Sequence, residues 1–350
     1  MLVLLLLVLL LLSSGSVPVA HAQDSIVHTE FVYQFAPFPS AHASTITETK
    51  NGIVAAWFGG TAEGNTDVGI WLARRDANRW SSPVEIADGV QPGGTHLPGW
   101  NPVLFQPSSG PLLLFYKVGP NPREWWGMVR ISHDEGRTWS QAGQLPDGIL
   151  GPIRAKPIEL RDGTLLAGSS TEHDGWVAHI ERFRPHSDPK RMLDALTDPA
   201  RWKRSAALNR TTEFGAIQPT LLAHTNSRIQ ALCRSRQNVI TEAWSNDAGV
   251  SWSKMTRTNL PNPSAGIDAV RLTDGRFLLV YNPTRKSRQQ LAVGISDDGR
   301  TWTQALLLED AQTGEFSYPA VIQTEDDLIH ITYTWQRQRI KHVVLDPFKL

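Results

Sequence analysis

One short turn is written three times in this chain, as Asp134-x-Gly136-x-Thr138-Trp139, Asp247-x-Gly249-x-Ser251-Trp252 and Asp297-x-Gly299-x-Thr301-Trp302. Repetition at a regular spacing constrains a fold more than any local propensity, because each copy must build the same supersecondary unit. The residue types state the job of the turn. An Asp side chain accepts bonds from backbone N–H groups of its own turn. The Gly permits a positive φ, and the Trp covers the hairpin with apolar area. Degenerate copies occur at Asp76-Ala-Asn-Arg-Trp80 and Asp198-Pro-Ala-Arg-Trp202. The five Asp positions are 58, 64, 49 and 50 residues apart, the period of a four-stranded propeller blade with insertions.

A second repeat runs between the turns. The segments "HASTI" (42–46), "NPVLF" (101–105), "KPIEL" (156–160), "QPTLL" (218–222), "DAVRL" (268–272) and "YPAVI" (318–322) each open on a polar or hydroxylated residue and enter a short strand. A turn signal such as Asn51-Gly52, Asp162-Gly163 or Asp274-Gly275 follows, then an apolar strand, which is the pattern of a β-hairpin. Their spacings are 59, 55, 62, 50 and 50. The two interleaved series agree on an all-β, six-bladed propeller. "IVHTEFVY" (26–33) lies outside both series, and is expected to join the last blade beside "IKHVVL" (340–345) and seal its edge.

Innermost strands line the central channel, so the six leading residues are expected at one mouth: His42, Asn101, Lys156, Gln218, Asp268 and Tyr318. They are either a network satisfying its own hydrogen bonds or a polar pocket built for a ligand. Ring closure sets His42 beside Tyr318. Loops leaving the second strands border the same mouth and bring Glu63, Lys117, Arg123, Trp126, Glu172, His173, Arg234, Arg236 and Arg285. Several arginines facing one cavity suit a carboxylated ligand, since a guanidinium grips carboxylate bidentately. Trp126 either stacks on a sugar face or caps its blade. The run Glu172-His173-Asp174 lacks further ligands at metal spacing, so no metal or other cofactor is expected.

Charge is balanced, with 34 basic and 34 acidic residues, which argues against nucleic-acid or membrane-surface partners. Residues 2–12 form an unbroken apolar run, too short to span a bilayer, followed by Ala20-His21-Ala22, a signal-peptidase type of site. Residues 1–22 are therefore expected to be a signal peptide and 23–350 an exported single domain, acting as a monomer. Cys233 is the only cysteine, so no internal disulfide supports the fold. No phosphate-cradling glycine loop and no nucleophile elbow is present.

The repeated turns resemble the Asp-boxes, or BNR repeats, of sialidases, and the mature chain resembles the bacterial predicted-neuraminidase group of that superfamily. "HASTI", "AWFGGT", "NPVLFQP", "REWWGM", "STEHDGW", "LCRSR" and "SYPAVIQT" carry the likeness. The resemblance implies a sialidase-like propeller acting on a terminal acidic sugar. Tyr318 is similar to the nucleophilic tyrosine, Arg234 to the second arginine of the carboxylate-binding triad, and Arg285 to the third. The sequence departs from the family pattern at His42, where the triad's first arginine stands. It departs again at Ala216, where a glutamate pairs with the nucleophile, and in "WFGGTAEG", where Glu63 is the nearest carboxyl to the family's acid.

Three functions follow as expectations. An exo-glycoside hydrolase would use Tyr318 as nucleophile, His42 as base and Arg234 with Arg285 as carboxylate clamp, tyrosine being a recognised alternative to a carboxylate nucleophile. A polysaccharide lyase would cleave a uronate by β-elimination, with His42 as base and Tyr318 as acid. A non-catalytic propeller would bind glycans on aromatic platforms.

Overall fold

In a computed structural model, which describes residues 22–76 and 78–350, the two repeat series become six antiparallel sheets arranged as blades. The proposed signal peptide lies, apart from Ala22, outside the described residues. The innermost strands are Ser40–Thr49, Gly99–Phe105, Ile158–Glu159, Ala216–Ala223, Asp268–Arg271 and Phe316–Gln323. Each pairs with the strand that follows it in sequence. Middle strands are buried on both faces, as in Leu112–Val118, where all residues are buried. Apolar side chains of adjacent blades meet between the sheets; Phe58 and Ile70 of the first blade pack in one cluster with Leu104 and Leu114 of the second. Burial on two faces explains why these strands read as apolar runs rather than alternating patterns.

The ring closes as the sequence implies. Ile26–Phe31 is the outermost strand of blade six, antiparallel to Arg339–Leu345, with Thr29 opposite Val343. Its Glu30 then reaches blade one, accepting from Arg75 Nε at 2.9 Å and Trp80 Nε1 at 3.0 Å, while His342 Nδ1 of blade six lies 3.2 Å away. One carboxylate thus joins the first and last blades.

The repeated turn works as its residues suggest, with one correction. Asp134 accepts from the backbone N–H of Arg137 (3.1 Å) and Thr138 (2.8 Å), and Ser132 Oγ accepts from Gly136 N at 2.7 Å. Asp247 and Ser245 repeat this arrangement. In the third copy the acceptor is Asp298 and not Asp297: Arg300 N and Thr301 N both donate to it at 2.7 Å. The constant feature is the serine that ends the strand, with Asp two residues later; this copy is one residue shorter before its glycine. Gly136, Gly249 and Gly299 all take left-handed φ values between 71° and 82°, which a Cβ would disfavour. The degenerate copies have diverged further. Asp198 caps the 3-10 helix Pro199–Arg201, and Asp76 pairs with Arg74 and Arg137.

Candidate functional site

A β-bulge near the start of the inner strand creates the site. Register between first and second strands slips between His42 and Thr45, Trp100 and Val103, Ile217 and Thr220, and Ser317 and Ala320. Inside each slip one residue adopts a positive φ: Ala43 (55°), Asn101 (39°), Gln218 (56°) and Tyr318 (52°). Non-glycine residues rarely hold this conformation, and bulges of this kind re-aim side chains next to functional sites.

This register corrects the expected ring of leading residues. Leu160, His224, Leu272 and Thr324 make the same hairpin bond at the far end of their strands. The residues six positions upstream of them are Arg154, Gln218, Gly266 and Tyr318. Arg154 and Gly266 therefore replace Lys156 and Asp268 in the mouth layer. His42 precedes its own bulge residue, Ala43, by one position.

Lys156 and Asp268 form a second layer deeper in the channel. Lys156 Nζ donates to Asp268 Oδ2 at 3.0 Å, and Thr220 Oγ1 and Val321 N also donate to that carboxylate. These groups satisfy one another around the axis, as buried polar groups must. They tie the inner strands together, and Lys156 also lines a cavity between the far ends of those strands, with Leu104, Phe105 and Ile322.

At the mouth, half-buried Tyr318 is surrounded by cations. The guanidinium carbons of Arg154, Arg234 and Arg288 lie 5.3, 5.6 and 5.6 Å from its ring centroid. Arg234 donates to the phenol oxygen and, at 3.2 Å, to Gln218 Oε1. Arg154 is buried and donates to the Pro319 carbonyl, with Nη1 at 2.7 Å. Burial draws its guanidinium down to about 10, still charged at neutral pH. Gly266 makes this approach possible: a Cβ there would sit 3.0 Å from Arg154 Nε and 3.2 Å from Tyr318 Cγ.

A fourth guanidinium comes from the hairpin of blade six. Gln336 and Arg337 both take left-handed φ values, 56° and 59°, so a turn that ordinarily selects Asn-Gly is made by bulky residues. Glu315 Oε1 then accepts from Arg288 at 2.9 Å, Arg337 Nε at 3.0 Å and Ser317 Oγ at 2.6 Å. Burial pushes the Glu315 carboxyl up, but the Ser317 hydroxyl and the two arginines outweigh it and hold it below the usual range. Exposed Glu63 also pairs with Arg337. Two carboxylates thus face four guanidinium groups, and no carboxylate bonds Arg154 or Arg234 among the described residues. The mouth is a cationic pocket.

The remaining expected residues separate into two groups. Glu172 stays at the site, half-buried near Trp176, over whose ring Arg234 and Arg236 stack at 4.9 and 4.4 Å. Burial raises its carboxyl above the usual range against the pull of Arg234. Asn101 is buried at its bulge. Trp126 is half-buried against the core between blades one and two and lines a side cavity. His173 is exposed and contacts Asp174. Arg285 is exposed and donates to the Asn238 carbonyl at 3.2 Å; Arg288, three residues on, occupies the position expected for it. His42 does lie against Tyr318, with ring centroids 4.1 Å apart, but it is 1% exposed. Its imidazole is driven well below its ordinary value by burial and by Arg337, Arg288, Arg154 and Arg234. It is neutral and almost entirely enclosed.

Arg154, Arg288, Arg337 and Glu315 were not found by sequence reasoning. Proline follows the bulge at Asn101, Gln218 and Tyr318, and in blade three this drew the alignment onto Lys156-Pro157, two residues beyond Arg154. Arg337 carries no turn signal at all.

The BNR repeat-like domain model matches residues 51–331. The chain belongs to the BNR repeat-like family. No curated protein matches the sequence. Among solved structures, a protein of unknown function from Dyadobacter fermentans is 18% identical with a TM-score of 0.73, covering 92% of this chain and 98% of its own. The NanB sialidase of Streptococcus pneumoniae is 12% identical with a TM-score of 0.71, covering 92% and 71%. The intramolecular trans-sialidase of Ruminococcus gnavus is 12% identical with a TM-score of 0.69, covering 93% and 99%. At such identities these structures show a shared propeller fold, and function must be argued from the site.

Proposed function

We propose that this protein is an exo-acting glycoside hydrolase that releases a terminal carboxylated sugar from a glycan. Tyr318 is the nucleophile, and Arg234, Arg288 and Arg337 hold the carboxylate. The observation that carries this reading is the half-buried Tyr318 phenol, hydrogen-bonded by Arg234 and flanked by two further guanidinium groups within 5.6 Å. Guanidinium forks match carboxylate geometry, and a preorganised cationic field stabilises anionic oxygen as it develops. The export expected from the leader is consistent with an extracellular glycan substrate.

The lyase alternative requires His42 to reach a substrate proton, and its enclosed position disfavours that step. The test is to incubate the purified protein with a panel of sialosides and uronate-terminated oligosaccharides and separate the products by anion exchange. Release of a free acidic monosaccharide supports the hydrolase. Appearance of an ultraviolet-absorbing unsaturated uronate would replace it with the lyase, and glycan binding without turnover would leave a lectin-like propeller.

A further inference from the structure

Beside the cationic mouth, between blades two and three, lies a separate cavity of about 200 Å³. Its apolar wall includes Trp126, Pro146 and Leu150, and its polar wall Arg123, His173 and Glu172. Glu172 belongs to both places. It lines this cavity, and it lies within the field of Arg234, whose guanidinium bonds the Tyr318 phenol. The other two carboxyls of the mouth are committed, Glu63 to Arg337 and Glu315 to Arg288 and Arg337. Among the described residues Glu172 makes no ion pair, and it sits four residues from Trp176, whose ring lies under Arg234 and Arg236.

Resting on the hydrolase reading, we infer that Glu172 is the proton donor to the leaving group and that the adjoining cavity seats the neutral sugar that departs. A carboxyl poised as a general acid must sit between the bond that breaks and the group that leaves, and Glu172 stands at that boundary. Its surroundings suit the role: burial favours the protonated carboxyl, and the flat apolar wall suits the face of one sugar ring. As the glycosidic C–O bond breaks, its electron pair stays with the leaving oxygen, which takes the Glu172 proton. The Tyr318 oxygen bonds the anomeric carbon, and its phenolic proton passes to solvent water. In the second half, the Glu172 carboxylate removes a proton from the attacking water, and the phenolate departs with its electron pair and regains a proton from solvent.

The test compares Glu172→Gln with the wild type on two substrates carrying the same acidic sugar, one linked to lactose and one to nitrophenol. A sugar alkoxide needs protonation to leave and nitrophenolate does not. The variant should lose about 10²–10⁴-fold in kcat on the lactoside, the usual contribution of a general acid, and less than about tenfold in the first step on the aryl glycoside. Its pH profile on the lactoside should lose the basic limb. Trp126→Ala should raise KM for the lactoside. Equal losses on both substrates, with an unchanged thermal midpoint, would overturn the assignment while leaving the hydrolase in place. A wild type that cleaves neither would overturn both.

Discussion

The imidazole of His42 lies against the phenol ring of Tyr318 with planes tilted by 46°, yet its Nδ1 is hydrogen-bonded to Thr334 Oγ1 at 2.9 Å. The contact is a packing contact between the first and last blades. We propose that His42 acts by positioning the tyrosine rather than by taking its proton, its Nε2 having no hydrogen-bond partner among the described residues. Tyr318→Phe should lower kcat by about 10³-fold or more, as expected when a nucleophile is removed. His42→Gln should keep kcat within about tenfold and leave the shape of the pH–rate profile unchanged, because a neutral imidazole contributes no titration to it. His42→Ala should cost about 2–4 kcal/mol of stability through the cavity it leaves. Kinetics from pH 5 to 8 on wild type and His42→Gln check this; a displaced acidic limb in the variant would return the imidazole to the chemistry.

Arg288 and Arg285 are three residues apart and face different surroundings. Arg288 stacks near Tyr318 and is anchored by Glu315, whereas Arg285 is exposed and bonds a backbone carbonyl. Arg288→Ala should reduce kcat/KM by about 10²–10³-fold, the scale of a lost charge-assisted contact in a preorganised site. Arg285→Ala should change it by less than about twofold, as for an exposed charge. Steady-state kinetics on both variants decide between them, and the reverse order would restore Arg285 to the clamp.

Much of the fold was legible because blades repeat. The turn chemistry, the hairpin signals and the unassigned strand at 26–33 required only the positions of Asp, Gly and apolar runs. The site was legible where the repeat is regular, at Gln218, Arg234 and Tyr318. It failed in blades three and five, where the paired inner strand is short and begins only at Ile158 and at Asp268, so that the mouth residues Arg154 and Gly266 lie upstream of it and two positions from the motif residues. Lys156 and Asp268 were thus drawn to the mouth, although their mutual ion pair holds them deeper in the channel. Arg337 was missed for another reason: its turn is held by tertiary contacts, including the bond from Ala41 N to its carbonyl at 2.9 Å, and not by turn residues.

Asp298 and Asp297 are adjacent, and only Asp298 receives the backbone bonds of its turn. Those bonds, from Thr301 first and Arg300 next, hold its carboxyl down to about 2. Asp298→Ala should lower the thermal midpoint by about 2–4 °C, the shift expected for roughly 1 kcal/mol in a domain of this kind. Asp297→Ala should leave it within about 1 °C, as surface substitutions usually do. Thermal denaturation of the two variants measures the difference directly, and equal shifts would mean that the turn draws on both carboxylates.

Ring closure should be acid-sensitive. His330 Nδ1 lies 2.9 Å from His342 Nε2, and His342 in turn contacts Glu30, which pairs with Arg75. Burial and the neighbouring His342 draw His330 down to about 3, and burial lowers His342 as well. Below pH 6.5 the unfolded chain therefore takes up protons that the folded histidines refuse, and stability falls with pH. Burial raises the Glu30 carboxyl, but His342 and Arg75 outweigh it and hold it at about 2. Its contribution is full above 4.5 and is lost as pH falls from there towards 2, so the two effects have the same sign. The contribution of this cluster to the thermal midpoint should be flat above pH 7 and decline from 6.5 downwards. Glu30→Gln should cost about 1–3 kcal/mol at neutral pH by weakening bonds at a half-buried acceptor. His330→Asn removes one of the refused protons, so its midpoint should decline less steeply than that of wild type between pH 6.5 and 4.5. Parallel curves for the two proteins would show that acid acts on the propeller elsewhere than at its closure.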